Sequence, residues 1–179
     1  MGDSLKILIT YHSQTGNTEK IAKGMKEALK NEDVTLLPAT ESKPETFDTY
    51  DIVFLGSGVY GGIIGKSLRN LMHRVVNLPG KFVLFSTHSS ISHETHIKAF
   101  SMIRKSLEES NCEIVAEYDC LGENREITPE RRELFLQSLP KEKQKEALEH
   151  IEKLKGHPNI EDVENAKKFV FNLMKKLKN

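Results

Sequence analysis

The sequence predicts an α/β fold: an open, doubly wound parallel sheet of five strands in a three-layer α/β/α arrangement. Two observations carry that expectation. Short apolar, β-branched runs recur along the chain, and amphipathic segments with helical spacing separate them. Strands that alternate with helices imply βαβ crossovers, a parallel sheet and helices on both of its faces.

Taken in order, residues 5–11 (LKILITY) read as the first strand. Ile21, Gly24, Met25 and Ala28 then recur at helical spacing within 17–30. Val34–Leu37 is a short second strand closed by Pro38, and 38–49 is a solvated connection rich in Pro, Thr, Ser and Glu. Asp51–Leu55 is the third strand. GSGVYGGIIG then leads into a helix with Leu68, Leu71, Met72 and Val75 on one face. Pro79-Gly80 turns the chain into a fourth strand, Lys81–Phe85, which is followed by a polar loop at 86–92. Ile97, Phe100, Ile103 and Leu107 mark one further helix, and Glu113–Tyr118 is the fifth strand. Residues 123–157 hold 16 charged residues, eight of each sign. Thr128-Pro129 starts a helix there, Pro140 interrupts it, and Ala147, Leu148, Ile151 and Leu154 mark a second. A last helix at about 160–177 turns Val163, Ala166, Val170, Leu173 and Leu177 inward. The expected organisation is one domain over 1–179 with a charged helical insertion at about 123–157. Pairs such as Lys145–Glu149 would lace its solvated face.

The chain has 179 residues, with 26 Lys+Arg against 26 Asp+Glu. A balanced charge speaks against a nucleic-acid binder, which needs clustered excess cations. Cys112 and Cys120 are the two cysteines, with no CxxC or Cys/His zinc spacing. The expectation is free thiols in a reducing compartment, no metal, no membrane span, no signal peptide and a cytoplasmic location.

Ligands of open α/β sheets bind at the carboxyl ends of the strands. The loops to inspect are therefore 11–18, 56–66 and 86–93. The first places Ser13, Thr15, Asn17 and Thr18, with Gln14 and Gly16 between them, just ahead of a helix. The open N–H groups and dipole of a helix N-terminus favour a phosphate there. No Lys or Arg lies in the loop, which suits a terminal phosphate held by neutral donors. Two decoys sit in the second loop. Gly56-x-Gly58-x-x-Gly61 matches GxGxxG but follows a later strand and lacks the ribose-binding acid near position 80. Gly65-Lys66-Ser67 ends like a P-loop, but Tyr60 stands where that motif needs glycine. Tyr60, flanked by glycines, can stack on a flat ring or pack under the loop. His88, His93 and His96 invite a metal reading, but no cysteine completes a known spacing.

SQTGNTE at 13–19 resembles the phosphate loop of the flavodoxin family, T/S-x-T-G-x-T. YDIVFLGSGVYGG at 50–62 and KFVLFSTHSS at 81–90 resemble its third and fourth strands with their flavin-flanking loops. The resemblance covers about 1–122 and the closing helix, whereas 123–155 departs from short flavodoxins. It implies strand order 2-1-3-4-5 and one non-covalent FMN. Ser13, Gln14, Thr15, Gly16, Asn17 and Thr18 would hold the phosphate. Ser57, Gly58, Val59, Tyr60, Gly61, Ser86, Thr87, His88 and Ser89 would surround the ring, largely through backbone groups. Tyr60 would cover one ring face, and Gly61 would offer its carbonyl to the flavin. The second ring-facing aromatic common in the family is absent from 86–93, so His88, Ile91 or His93 would meet the far face or leave it open. The expected ring site is apolar and nearly uncharged, and would lower the last reduction potential.

Electron transfer as a flavodoxin-like carrier, with a redox partner protein, is the leading functional expectation. The alternative is an FMN-dependent NAD(P)H oxidoreductase acting on a quinone or similar small acceptor. A flavin-free interaction module is a weaker third. The charged insertion leaves room for a homodimer.

Overall fold

A computed structural model describes residues 4–178. The elements run β1 (Lys6–His12), α1 (Asn17–Ala28), β2 (Asp33–Pro38), a 3-10 turn (Pro44–Thr49), β3 (Ile52–Tyr60), β4 (Ile63–Ile64) and α2 (Lys66–Met72). They continue with β5 (Lys81–His88), α3 (Glu94–Ala99), α4 (Ser101–Glu109), β6 (Glu113–Leu121), α5 (Pro129–Ser138), α6 (Lys141–Leu154) and α7 (Ile160–Leu177). The sheet order is β2-β1-β3-β5-β6, and every pairing along that path is parallel. β4 is a two-residue stub paired antiparallel with the end of β3. With the stub set aside, the order is the expected 2-1-3-4-5.

Alternation along the strands divides the core in two, because successive side chains point to opposite faces. Ile7, Ile9, Phe54, Val83 and Phe85 pack under α1 and α7 with Ile21, Met25, Ala166 and Val170. Leu8, Val53, Leu55, Phe82 and Leu84 pack on the other face with Leu68, Leu71, Phe100, Ile103 and Leu107. Each such fully buried side chain contributes about 1.5–3 kcal/mol of transfer free energy. That is the driving force for the three layers.

Three expectations are corrected. β3 does not stop at Leu55: Gly56, Ser57 and Gly58 go on pairing with Phe85, Ser86 and Thr87 of β5. The same pairing makes residues 86–88 strand, not loop. Polar side chains here do not end the ladder, because backbone groups make it. The single helix expected across 97–107 is two, α3 and α4, joined at Phe100 (φ −90°, ψ 3°), whose ring is fully buried.

The charged segment forms the α5–α6 pair on both sides of Pro140. Thr128 caps α5 by accepting from the Arg131 N–H, and Lys145 and Glu149 lie 4.0 Å apart on α6. α5 buries none of its residues, and α6 buries only Leu154. α7 begins at a capping box in which Asn159 and Asp162 exchange side-chain-to-backbone hydrogen bonds. No helix of the described residues is long and apolar enough to cross a membrane.

Candidate functional site

The loops after β1, β3, β5 and β6 meet at the carboxyl end of the sheet. They enclose a slot of about 60 Å³ lined by Thr15, Asn17, Val59, Tyr60, Thr87 and Gly122, among others. Gly58, His88 and Ser89 also border it. The first loop ends at Gly16, whose φ of +82° is the left-handed conformation that glycine adopts without strain. That conformation turns the chain sharply into α1. Lys20 N–H is bonded to Gly16 O at 3.0 Å, and the amides ahead of it have no intrahelical carbonyl to reach. No side chain caps this helix, and Ser13 Oγ is buried without a hydrogen-bond partner. A set of open donors therefore gathers at the positive end of a 12-residue helix.

The side chains of the first loop divide between this cradle and the scaffold. Thr18 Oγ1 is buried and shares a 2.9 Å hydrogen bond with Thr87 Oγ1. Asn17 Nδ2 donates to Glu123 O at 2.8 Å. Those two side chains tie α1 to the β5 and β6 ends. They position the loop, and the first N–H groups of α1 stay open.

Tyr60 is half-buried beside this cradle. Its Oη accepts the Gln14 N–H at 3.1 Å, and its ring meets His12 edge-on at a centroid separation of 5.3 Å. Burial raises the Tyr60 pKa, and Glu126 adds to that shift. Gly61 lies exposed in the β3–β4 turn with φ +59°. Ser57 Oγ donates to Gly58 O and accepts the Gly65 N–H at 2.8 Å, so its side chain shapes the hairpin. Ser86 Oγ is bonded to His96 Nδ1 at 2.7 Å. The side chains of Ser57 and Ser86 are thus spent on the scaffold. The GxGxxG decoy has a packing cause: a Cβ at Gly56 would stand 2.0 Å from the Phe85 ring.

Residues outside the expected set also build the site. His12 ends β1, bonds Ser67 Oγ through Nδ1 at 2.6 Å, and is held below its ordinary pKa by burial. Gly122, Glu123, Asn124 and Glu126 form the wall contributed by the β6 exit. The expected ring site is nearly uncharged; this wall includes Glu123 and Glu126, and Glu126 lies near enough to Tyr60 to raise its pKa. The wall's one sequence signal is the Gly122-Glu123-Asn124 turn directly after the last strand.

The three histidines join β5 and α3 to carboxylates on β6. His88 Nε2 lies 3.0 Å from Asp119 Oδ2, and its Nδ1 lies 2.8 Å from Ser90 O. His93 Nδ1 bonds the other Asp119 oxygen. Burial works to raise the Asp119 pKa, but the hydrogen bonds from His88 and His93 outweigh it and lower it. His96 donates from Nε2 to Glu117 at 2.8 Å and accepts from Ser86. Burial pulls it down to about 4, so this is a neutral core imidazole. Arg104 pairs with both Glu117 oxygens. Among the described residues, no three His, Cys, Asp or Glu side chains are placed to hold a metal ion. Both cysteines are free, and burial raises the pKa of each thiol.

A larger cavity of about 430 Å³ adjoins the slot and shares Ser89, Glu123 and Asn124 with it. α5 and α6 form its outer wall.

The model of a flavodoxin domain family matches residues 8–171. A flavodoxin-like domain-containing protein, BilS, from Clostridioides difficile is 27% identical over 95% of this chain and 97% of its own. The crystal structure of oxidised flavodoxin 2 from Bacillus cereus superposes with a TM-score of 0.66 at 22% identity, covering 96% of this chain and 99% of that one. A flavoprotein from Lactobacillus acidophilus, solved in complex with FMN, superposes with a TM-score of 0.52 at 17% identity. That match covers 65% of this chain and 93% of the other.

Proposed function

Because this chain belongs to the flavodoxin domain family, we propose that it binds one FMN non-covalently and acts in electron transfer. One observation carries the reading: Ser13 Oγ is buried without a partner beside the uncapped N-terminus of α1. A buried hydroxyl without a hydrogen bond is costly, and a phosphate oxygen would relieve it. The relative solved with FMN is consistent with the choice of flavin. Bound FMN supplies the redox-active ring, and the protein supplies binding, orientation and electrostatics.

In this reading Ser13, Thr15 and the amides of Gln14 to Thr18 hold the phosphate. Tyr60 Oη occupies the Gln14 N–H at 3.1 Å and so stands where a phosphate oxygen would accept. A slot of about 60 Å³ is smaller than a tricyclic ring, so in this reading Tyr60 moves off Gln14 as FMN binds. Gly58, Val59 and Tyr60 then line one side of the ring, and Thr87, His88, Ser89 and Gly122 line the other. Glu126 disfavours added negative charge nearby, which would lower the potential of the last reduction step.

A second reading has its own support. The adjoining cavity of about 430 Å³ falls within the size range of small-molecule sites. It favours an FMN-dependent NAD(P)H oxidoreductase with a small acceptor over a carrier that docks only proteins.

Fluorescence quenching on titration with FMN tests the first reading. Micromolar or tighter binding that weakens at least tenfold in Ser13→Ala supports it. Failure to bind FMN, FAD and riboflavin sinks it. NAD(P)H consumption with a quinone by the FMN-loaded protein supports the enzyme. Its absence, with electrons still accepted from a reductase protein, supports the carrier.

A further inference from the structure

We propose that the cavity between the β6 exit and the α5–α6 pair is a binding site for a small, flat, apolar carboxylate. Two kinds of wall meet there. Ile127, Phe135, Ile151 and Leu154 supply apolar surface, and Arg131 and Arg132 supply two guanidinium groups. Glu123 is the one carboxylate at the wall. Its Oε2 is already engaged by the Gly156 N–H at 3.0 Å and by Arg125 at 3.7 Å. Neither Arg131 nor Arg132 forms an ion pair or a side-chain hydrogen bond among the described residues, so both forks are open to an incoming anion. A guanidinium fork matches a carboxylate in two parallel hydrogen bonds, while the apolar wall asks for a hydrocarbon body.

The architecture explains how such a wall persists. α5 buries none of its residues, and Phe135 is 54% exposed. A helix that contributes so little to the core leaves large apolar side chains uncovered, and a ligand seated against them removes that surface from water. The two guanidinium groups of the lining select an anion over a neutral molecule. Because the cavity shares Ser89, Glu123 and Asn124 with the slot, the ligand would lie beside the flavin. That use, as a redox acceptor or its mimic, rests on the FMN reading, whereas the binding itself does not.

Naphthalene-2-carboxylate is the probe, with naphthalene-2-carboxamide as its uncharged match. The chain contains no tryptophan, so naphthalene fluorescence can be followed directly in the purified protein, with and without FMN. The expected result is saturable binding of the carboxylate, about tenfold or more tighter than the carboxamide. The double variant Arg131→Gln/Arg132→Gln should erase that preference. It should leave the thermal melt and the FMN titration unchanged, since α5 carries none of the core. Equal binding of the two probes, no binding of either, or a preference that survives the double variant overturns the proposal. So does a dimer in sedimentation that Phe135→Ser dissociates while neither probe binds, because a second copy would then cover the cavity. Loss of FMN binding with carboxylate binding intact would sink only the flavin reading. The reverse result would sink only this one.

Discussion

α1 and α5 are helices of 12 and 10 residues that occupy opposite situations. α1 buries Asn17, Thr18, Ile21, Ala22, Gly24 and Met25 between the sheet and α7, and its N-terminus is aimed at the slot. α5 begins with a good cap, Thr128 and Pro129, yet buries nothing. A side-chain cap starts α5 and none starts α1, yet packing holds only α1 in a single place. The lesson is that the donor-rich loop leads into a helix fixed by its packing. The cavity wall draws instead on a helix that buries none of its residues.

The largest break in that contrast should come from Phe54→Ala. Phe54 is fully buried on the α1/α7 face of the sheet, and the substitution should cost about 3–5 kcal/mol in denaturant unfolding. Next is the pH dependence set by His96. Its folded pKa is about 4, below the ordinary 6.5. Between those values the unfolded chain takes up a proton that the folded one refuses, so stability falls as pH drops from about 6.5 to about 4. The full loss is about 3 kcal/mol. His96→Gln should flatten that stretch of the stability–pH curve, and an unchanged slope would show that the group is not neutral in the fold. Smaller again is Gly16→Ala. At φ +82° a side chain costs about 1–2 kcal/mol, with weaker FMN binding on the same titration. The smallest effect belongs to α5: Leu134→Ala, at a residue 66% exposed, should shift stability by no more than about 0.5 kcal/mol. A larger loss would mean that α5 is packed against something, and would narrow the contrast with α1.

Much of the fold was legible because the strands carry their own signal. The runs at 7–9, 52–55 and 82–85 are apolar on both faces, as strands sandwiched between helix layers must be. The far ends of β3 and β5 were not legible, since Ser57 and Ser86 read as loop residues and join the sheet only through backbone pairing. The break at Phe100 was hidden too: its ring continues the apolar face of a helix while its backbone leaves the helical region. At the site, the donor-rich loop at 13–18 was visible from residue types alone. What those side chains do was not. Thr18 meets Thr87 across 69 positions of sequence, and Asn17 meets the Glu123 carbonyl across 106.

The sequence by itself determined the layered α/β class, the strand order through family resemblance, and the place of the donor-rich loop at 13–18. Hydrophobic periodicity and helix-end chemistry are local properties that short stretches of chain display. Only the tertiary structure decided that Tyr60 lies across the Gln14 amide, that Glu123 and Glu126 wall the slot, and that Arg131 and Arg132 border a cavity beside it. Each of those relations depends on where β6 ends relative to β1, β3 and β5. Sheet register sets that position, and no single segment encodes it.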